Sequence, residues 1–86
     1  MFFVYVLYDR SLDKMYIGFT ADLEQRLQEH RAGGVHTTVR MNNWILVYYE
    51  ACLSENDARK RERQLKTGFG RGYLRKRLQE SFTVGR

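Results

Sequence analysis

The chain of 86 residues is shorter than a typical domain, so it has room for one hydrophobic core and no second one. No apolar run reaches the roughly 20 residues that a membrane-spanning helix needs, and the apolar start lacks the flanks of a signal peptide. A lone cysteine, Cys52, excludes an internal disulfide and a multi-cysteine zinc site. We therefore expect a soluble cytoplasmic protein without membrane contact.

The net charge of +5 is unevenly distributed along the chain. Residues 1–58 carry five basic and eight acidic side chains, whereas residues 59–86 carry ten basic and two acidic ones. Such a basic segment indicates a surface that faces a polyanion. Its alternative explanation is a solvated helix face that only keeps the protein in solution.

The first half of the chain predicts a hairpin followed by a helix. Residues 2–8 form a β-branched and aromatic run without polar alternation, typical of a central strand covered on both faces. A polar loop separates this run from a second strand over residues 15–19, which Gly18 interrupts. We interpret Gly18 as a bulge or as a place where substrate approaches the backbone closely.

A helix is predicted after this hairpin, with Thr20 as its cap and Gly33-Gly34 as its end. Arg26 and His30 lie one turn apart and share a face of this helix. After a loop, residues 44–50 predict a third strand that is again apolar on both faces.

The last third of the chain predicts two helices. Ser54 and Asp57 have the spacing of a capping box, and Leu53 is placed to staple onto Ala58. Thr67-Gly68 ends this helix, residues 69–72 form a glycine-bearing connection, and a last helix carries Leu74, Leu78 and Phe82 at helical spacing.

These elements predict one α+β domain over residues 1–82, followed by a frayed tail over residues 83–86. Its expected architecture is a three-stranded antiparallel sheet flanked by helices, in the order ββαβαα.

Glu62 is the most informative polar residue in the predicted helices. On a helical wheel it lies about 40° from Ala58, on the apolar stripe of its helix. An unpaired carboxylate there would be costly, so we expect it to face a cation or a wet cleft. That cation is either a metal ion or one of the neighbouring basic side chains, which are Arg59, Arg61, Arg63 and Lys66.

Other residues that could carry chemistry have plain structural explanations as well. Tyr5 and Tyr16 lie on adjacent predicted strands and could present two phenols to one face, but a cross-strand tyrosine pair also stabilises a sheet by packing. Arg26 could simply be solvated at the surface, as most arginine side chains are. His30 and His36 could carry protons, yet their separation is weak support for a metal site.

Taken together, these positions resemble the GIY-YIG endonuclease superfamily, in particular its short stand-alone bacterial members. Phe3-Val4-Tyr5 stands where the family has Gly-Ile-Tyr, and Tyr16-Ile17-Gly18 matches the second motif in full. Arg26 follows Gly18 by eight residues, as the phosphate-contacting arginine of the family does. The remaining matches are His30, His36 and the metal-binding glutamate, Glu62.

The resemblance implies an endonuclease that hydrolyses phosphodiester bonds with Mg²⁺ or Mn²⁺ bound by Glu62. It implies a phosphate clamp at Arg26, water activation by Tyr16 or else Tyr5, and proton relay or water orientation by His30 or His36. Nucleic acid, DNA rather than RNA, is the expected partner, bound near Gly18, Arg26, Lys66 and Arg71. Cleavage is expected to depend on DNA structure or to be weakly specific, in repair or processing.

Two other functions are compatible with the same residues. The protein could be a nucleic-acid-binding module that keeps the fold without cleaving, because the first motif lacks its glycine. It could also be an interaction domain that uses Trp44 and the aromatic strand residues.

Overall fold

A computed structural model of the chain describes residues 1–35, 38, 40, 41 and 43–83. These residues form three antiparallel strands and three helices in the order ββαβαα, as predicted. The strands are β1 (Phe2–Asp9), β2 (Lys14–Thr20) and β3 (Trp44–Cys52). The helices are α1 (Leu23–Arg31), α2 (Glu55–Leu65) and α3 (Gly68–Arg77).

The first strand is the central one, because the sheet order is β2-β1-β3. Its six residues from Val4 to Asp9 are buried, which agrees with the unbroken apolar run in the sequence. β1 pairs with β2 so that Tyr5 lies opposite Gly18 and Leu7 opposite Tyr16. On its other side β1 pairs with β3, with a register shift between Val6 and Leu7.

The predicted third strand is present as β3, but its apolar residues are not buried as those of β1 are. β3 is an edge strand, and none of its residues is fully buried. Tyr49 and Ile45 are among the exposed large hydrophobic residues. The apolar run in its sequence resembles that of β1, but β1 has a paired strand on each side, whereas β3 is paired with β1 alone.

The hydrophobic core lies between the sheet and the two C-terminal helices. Val4, Val6 and Ile17 project from one face of the sheet because side chains alternate along a strand. They pack with Ala58 and Leu65 of α2, with Leu74 of α3 and with Leu78, the residue that caps the C-terminal end of α3. The opposite face of the sheet is left for α1 and the loop that follows it.

The ends of α1 have clear chemical causes. Its cap is Asp22, whose carboxylate accepts a hydrogen bond from the backbone N–H of Gln25, so the expected cap at Thr20 is displaced by two residues. The Thr20 hydroxyl instead accepts from the N–H of Asp22 and holds the turn before the helix. Gly33 ends the helix as predicted, with a positive φ of 76° that favours glycine.

The junction between α2 and α3 differs from the prediction. Ser54 caps α2 as expected, but Leu53 is 85% exposed and forms no staple. No connection separates the two helices over residues 69–72, because Thr67 caps α3 by accepting from the N–H of Gly70. The glycines that suggested a loop therefore occupy the first turns of a helix.

Among the described residues, no helix has both the length and the apolar composition needed to cross a membrane. The chain continues from α3 to Thr83, whose N–H and hydroxyl both donate to the carbonyl of Glu80. Of the predicted tail, residues 84–86 lie outside the described residues.

Candidate active site

Two tyrosines and two residues of α1 meet on the sheet face opposite the core. Tyr5 and Tyr16 are diagonal neighbours across the β1–β2 pair, and their ring centroids lie 6.1 Å apart. His30 contacts both rings edge-on, with its centroid 5.5 Å from Tyr5 and 5.1 Å from Tyr16. Arg26, one helical turn earlier, donates from Nε to the Tyr5 hydroxyl over 3.4 Å. The structure thus brings together four of the predicted site residues.

Gly18 makes room for the Tyr5 ring. A β-carbon at position 18 would lie 2.5 Å from Cζ and from the hydroxyl oxygen of Tyr5, far inside van der Waals contact. The glycine of the second motif is therefore explained by the tyrosine of the first. Packing against Tyr5 is a sufficient reason for glycine at this position. Contact between Gly18 and nucleic acid stays a prediction.

A chain of hydrogen bonds runs through Tyr5 and His30, and its direction follows from its ends. The carbonyl of Val35 can only accept, and it accepts from the Thr38 hydroxyl over 3.3 Å. The Thr38 oxygen then accepts from Nδ1–H of His30 over 2.7 Å. His30 Nε2 is left to accept the Tyr5 hydroxyl proton over 2.7 Å, while the Tyr5 oxygen accepts from Arg26. Every hydrogen then has a partner, and His30 is neutral.

The electrostatics of this chain favour neutral groups. Burial raises the pKa of the Tyr5 hydroxyl well above its ordinary value, although the Arg26 hydrogen bond opposes that shift. Burial also lowers the pKa of His30, and the nearby Arg26 charge lowers it further. Tyr5 is therefore suited to donating a hydrogen bond, and it is poorly suited to existing as a phenolate.

Arg26 is the cation at the open side of this cluster. Its side chain is 35% exposed, and its Nη1 forms an ion pair with Glu29 at 2.8 Å. The hydrogen bond to Glu29, followed by the one to Tyr5, raises the pKa of Arg26. A permanently charged and partly exposed guanidinium is suited to binding a phosphate, for which Glu29 would compete.

Glu62 lies on another helix and has a structural partner. Its side chain is 19% exposed, and its carboxylate forms an ion pair with Lys66 at 3.1 Å. This pair is one of the neighbouring-cation alternatives that the helical wheel allowed. In the part of the chain that the structure describes, Glu62 forms no hydrogen bond with Tyr5, Tyr16 or Arg26.

The helix face that carries Glu62 adjoins the β2 edge of the sheet. Arg59, nearly one turn before Glu62, places its guanidinium 4.3 Å above the ring of Phe19 on β2. Beyond Glu62, Arg71 donates to the carbonyls of Lys66 and of Met15 at the start of β2. Tyr16 also lies on β2, so the same edge strand borders both the Glu62 side of α2 and the tyrosine cluster.

Two of the three cationic residues predicted to contact nucleic acid form other contacts in the structure. Lys66 pairs with Glu62, and Arg71 ties α3 to the backbone of β2. Their roles toward nucleic acid stay predictions. The expected site residue His36 lies outside the described residues.

Thr38 and Glu29 were not among the predicted site residues. Nothing in the sequence distinguishes Thr38, because it meets His30 only through the fold of the loop. Glu29 had a detectable signal, since it follows Arg26 by three residues on a helix and such pairs interact.

A cavity of about 420 Å³ opens on the far side of His30. It is lined in part by Thr38, Met41 and Trp44. The Trp44 ring contacts His30 edge-on at 6.0 Å and carries the Arg31 guanidinium 5.1 Å above its centre. His30 therefore lies between the tyrosine pair and a hollow with a cation at its rim.

Comparison with known proteins identifies the class to which this fold and site belong. The model of the GIY-YIG catalytic domain matches residues 1–78. The UPF0213 protein SH2523 of Staphylococcus haemolyticus is 33% identical over 79 residues, which cover 91% of this chain and 94% of that protein. No solved structure matches the chain significantly. The chain belongs to the GIY-YIG family, a family of the nuclease type.

Proposed function

We propose that this protein is a metal-dependent endonuclease that hydrolyses phosphodiester bonds in DNA. The observation that carries the proposal is the convergence of Tyr5, Tyr16, Arg26 and His30 on one sheet face in a chain that belongs to a nuclease-type family. Cleavage of a phosphodiester needs charge neutralisation at the phosphate and an activated water. The cluster contains a partly exposed cation and a half-buried phenol that could meet these needs.

In this mechanism Arg26 binds the phosphate of the substrate strand. Tyr5 holds the guanidinium by accepting from its Nε, so that the remaining N–H groups stay oriented toward the open side. Tyr16 activates or orients the attacking water, because its hydroxyl belongs to a half-buried side chain beside Arg26. His30, neutral and anchored by Thr38, fixes Tyr5 and keeps both rings in place.

The donor set for a metal ion is small. Among the described residues, no group of three or more His, Cys, Asp or Glu side chains could hold a metal ion. A single carboxylate does suit Mg²⁺ or Mn²⁺, since Mg²⁺ keeps several water ligands and binds substrate phosphate. Glu62 would hold the ion, which when bound stabilises charge on the phosphate and the leaving oxygen. In the structure, the ammonium group of Lys66 supplies the positive charge beside the Glu62 carboxylate.

Phe3, which stands in place of the motif glycine, is compatible with this proposal. Its ring packs edge-on against Tyr49 of β3, with centroids 6.2 Å apart, whereas the Tyr5 ring lies over Gly18 of β2 on the other side of β1. The substitution therefore leaves β1 and the tyrosine cluster intact.

The decisive experiment is a cleavage assay with matched variants. Wild-type protein would be incubated with branched, nicked, single-stranded and duplex DNA, and with RNA of the same sequences, in Mg²⁺, in Mn²⁺ and in a chelator. We expect metal-dependent cleavage of DNA that Glu62→Gln abolishes while DNA binding persists, and that Glu80→Gln leaves unchanged. Arg26→Ala should weaken both binding and cleavage.

Two outcomes would replace this proposal. If the wild type binds DNA but cuts nothing in any metal, the protein is a non-catalytic binding module, with Glu62 serving as the partner of Lys66. If Glu62→Gln cuts as fast as wild type, the metal is held elsewhere or is not used.

A further inference from the structure

The first turns of α3 carry two exposed aromatic side chains. Phe69 is 95% exposed and Tyr73 is 43% exposed. They are four residues apart on a helix and therefore lie on the same face. A phenylalanine so exposed contributes almost no burial to the stability of this domain.

The space around these rings is open on both sides. A cleft of about 210 Å³ lies between Phe69 and the end of α2, where Arg61 and Gln64 form part of its wall. A second, wider hollow of about 700 Å³ lies on the other side and is lined by Gly68, Gly72 and Lys76 as well as both rings. A β-carbon on either of those glycines would meet nothing within 4 Å, so the flanks of the rings are unobstructed.

The charged residues of α3 are all basic, and Arg61 of α2, which is paired with Glu50, borders the Tyr73 ring. The Arg61 guanidinium lies 5.5 Å from the centre of the Tyr73 ring, and α3 from Gly68 to Arg77 contains no acidic residue. Arg71, Lys76 and Arg77 belong to the same helix. Exposed aromatic rings bordered by cations are the chemistry that binds unpaired nucleotides, because each base has a π-face and each nucleotide carries a phosphate.

A second copy of this chain is a poorer occupant. In a symmetric contact the patch would face itself, which would bring two helices without acidic residues and with several cations against each other. A polyanion removes that repulsion, so charge complementarity favours nucleic acid.

We propose that Phe69 and Tyr73 form a stacking platform for an unpaired base of the substrate strand. This proposal rests on the proposed nuclease function and names its substrate class, DNA with unpaired bases next to the cleavage site. Lys66, the partner of Glu62, lies only three residues before Phe69, across the cap at Thr67. The platform and the Glu62–Lys66 pair therefore flank the same junction between α2 and α3.

The test compares two probes that carry the same charge. Fluorescence anisotropy would measure binding of a short oligothymidylate and of an abasic oligomer with the same number of phosphates. Stacking on the platform predicts that wild type binds the oligothymidylate roughly 5- to 100-fold more tightly. Phe69→Ala should lose that preference while its affinity for the abasic oligomer stays unchanged.

Two variants control the experiment. Leu53→Ala removes another highly exposed hydrophobic side chain, just before the cap of α2, and should keep the wild-type preference. Phe69→Trp should also keep it, with quenching of the added tryptophan on binding. Thermal unfolding should be unchanged in Phe69→Ala, since the ring it removes is exposed.

Equal affinity of wild type for both oligomers, or a preference that persists in Phe69→Ala, would overturn the platform and leave the nuclease proposal standing. Sedimentation that shows a wild-type dimer and a Phe69→Ala monomer, without any base preference, would assign the patch to self-association. Failure of the nuclease proposal has a separate signature, which is the absence of Glu62-dependent cleavage on every substrate.

Discussion

The hydroxyl of Tyr5 joins α1 to the sheet through two hydrogen bonds, one from Arg26 and one to His30. A buried hydroxyl that both accepts and donates constrains the orientation of its partners. Gly18 belongs to the same unit, because only a residue without a β-carbon leaves space for this ring. The two tyrosine motifs are therefore physically interdependent.

This interdependence predicts that Gly18→Ala is destabilising. The added methyl group forces the Tyr5 ring to move, and overpacking of this kind costs about 1–3 kcal/mol. Gly72→Ala is a suitable control, because its β-carbon meets open space and alanine is favoured in a helix by up to about 1 kcal/mol. Urea unfolding should place the midpoint of Gly18→Ala below that of wild type and the midpoint of Gly72→Ala at or above it. A Gly18→Ala protein as stable as wild type would contradict this packing.

Buried His30 predicts a dependence of stability on pH. In the unfolded chain His30 takes up a proton below its ordinary pKa of 6.5, whereas burial lowers the pKa of the folded ring. The unfolded state then binds more protons, so the free energy of unfolding falls as the pH drops below about 6.5. His30→Gln should be less stable than wild type at neutral pH but lose less stability between about pH 7 and 5. Parallel pH profiles for the two proteins would show that His30 does not titrate this way.

At the scale of elements, the contact between α2 and α3 depends on a second glycine. Thr67 caps α3 immediately after α2 ends, so the chain turns within two residues. A β-carbon on Gly70 would collide with the Gln64 carbonyl oxygen and with backbone atoms of Leu65. Backbone atoms cannot rotate aside, so this close approach sets the angle between the helices.

We therefore expect Gly70→Ala to be among the most destabilising single substitutions in the chain, at roughly 3 kcal/mol or more. Gly68→Ala, two residues away with open space around its β-carbon, should have little effect. Calorimetric melting of both variants beside wild type measures the difference. Similar melting temperatures for the two variants would mean that α3 can move away from α2 without cost.

At the scale of the whole molecule, folding divides the basic residues into two groups. Several have partners in the structure, as Arg59 pairs with Glu55, Arg61 with Glu50 and Arg75 with Asp13. These ion pairs neutralise part of the excess positive charge of residues 59–86. Exposed residues such as Lys76 remain to meet a polyanion.

Binding to DNA should accordingly depend on salt. Affinity is expected to fall roughly ten- to a thousandfold from low to physiological ionic strength, because phosphate contacts release counterions. Lys76→Gln should reduce the slope of log affinity against log salt by about one, whereas Lys14→Gln in the acidic half should not change it. Salt-independent binding would exclude a surface of this kind.

Local features of this protein were determined by the sequence alone. The order ββαβαα, the central position of β1, the Ser54 cap and the end of α1 at Gly33 follow from short-range patterns that act within a few residues. The spacing of Tyr5, Tyr16, Arg26 and Glu62 was sufficient to indicate the family, because that spacing can be read directly from the sequence.

Tertiary structure decided which residues meet. The pairing of Gly18 with the Tyr5 ring, the anchoring of His30 by Thr38 and the partial exposure of β3 all join segments that are distant in sequence. The glycines after Thr67 did not distinguish a loop from a helix for the same reason. Glycine is found both in loops and where one helix backbone closely approaches another. Which of these holds depends on the distance between two backbones, and that distance exists only in the folded chain.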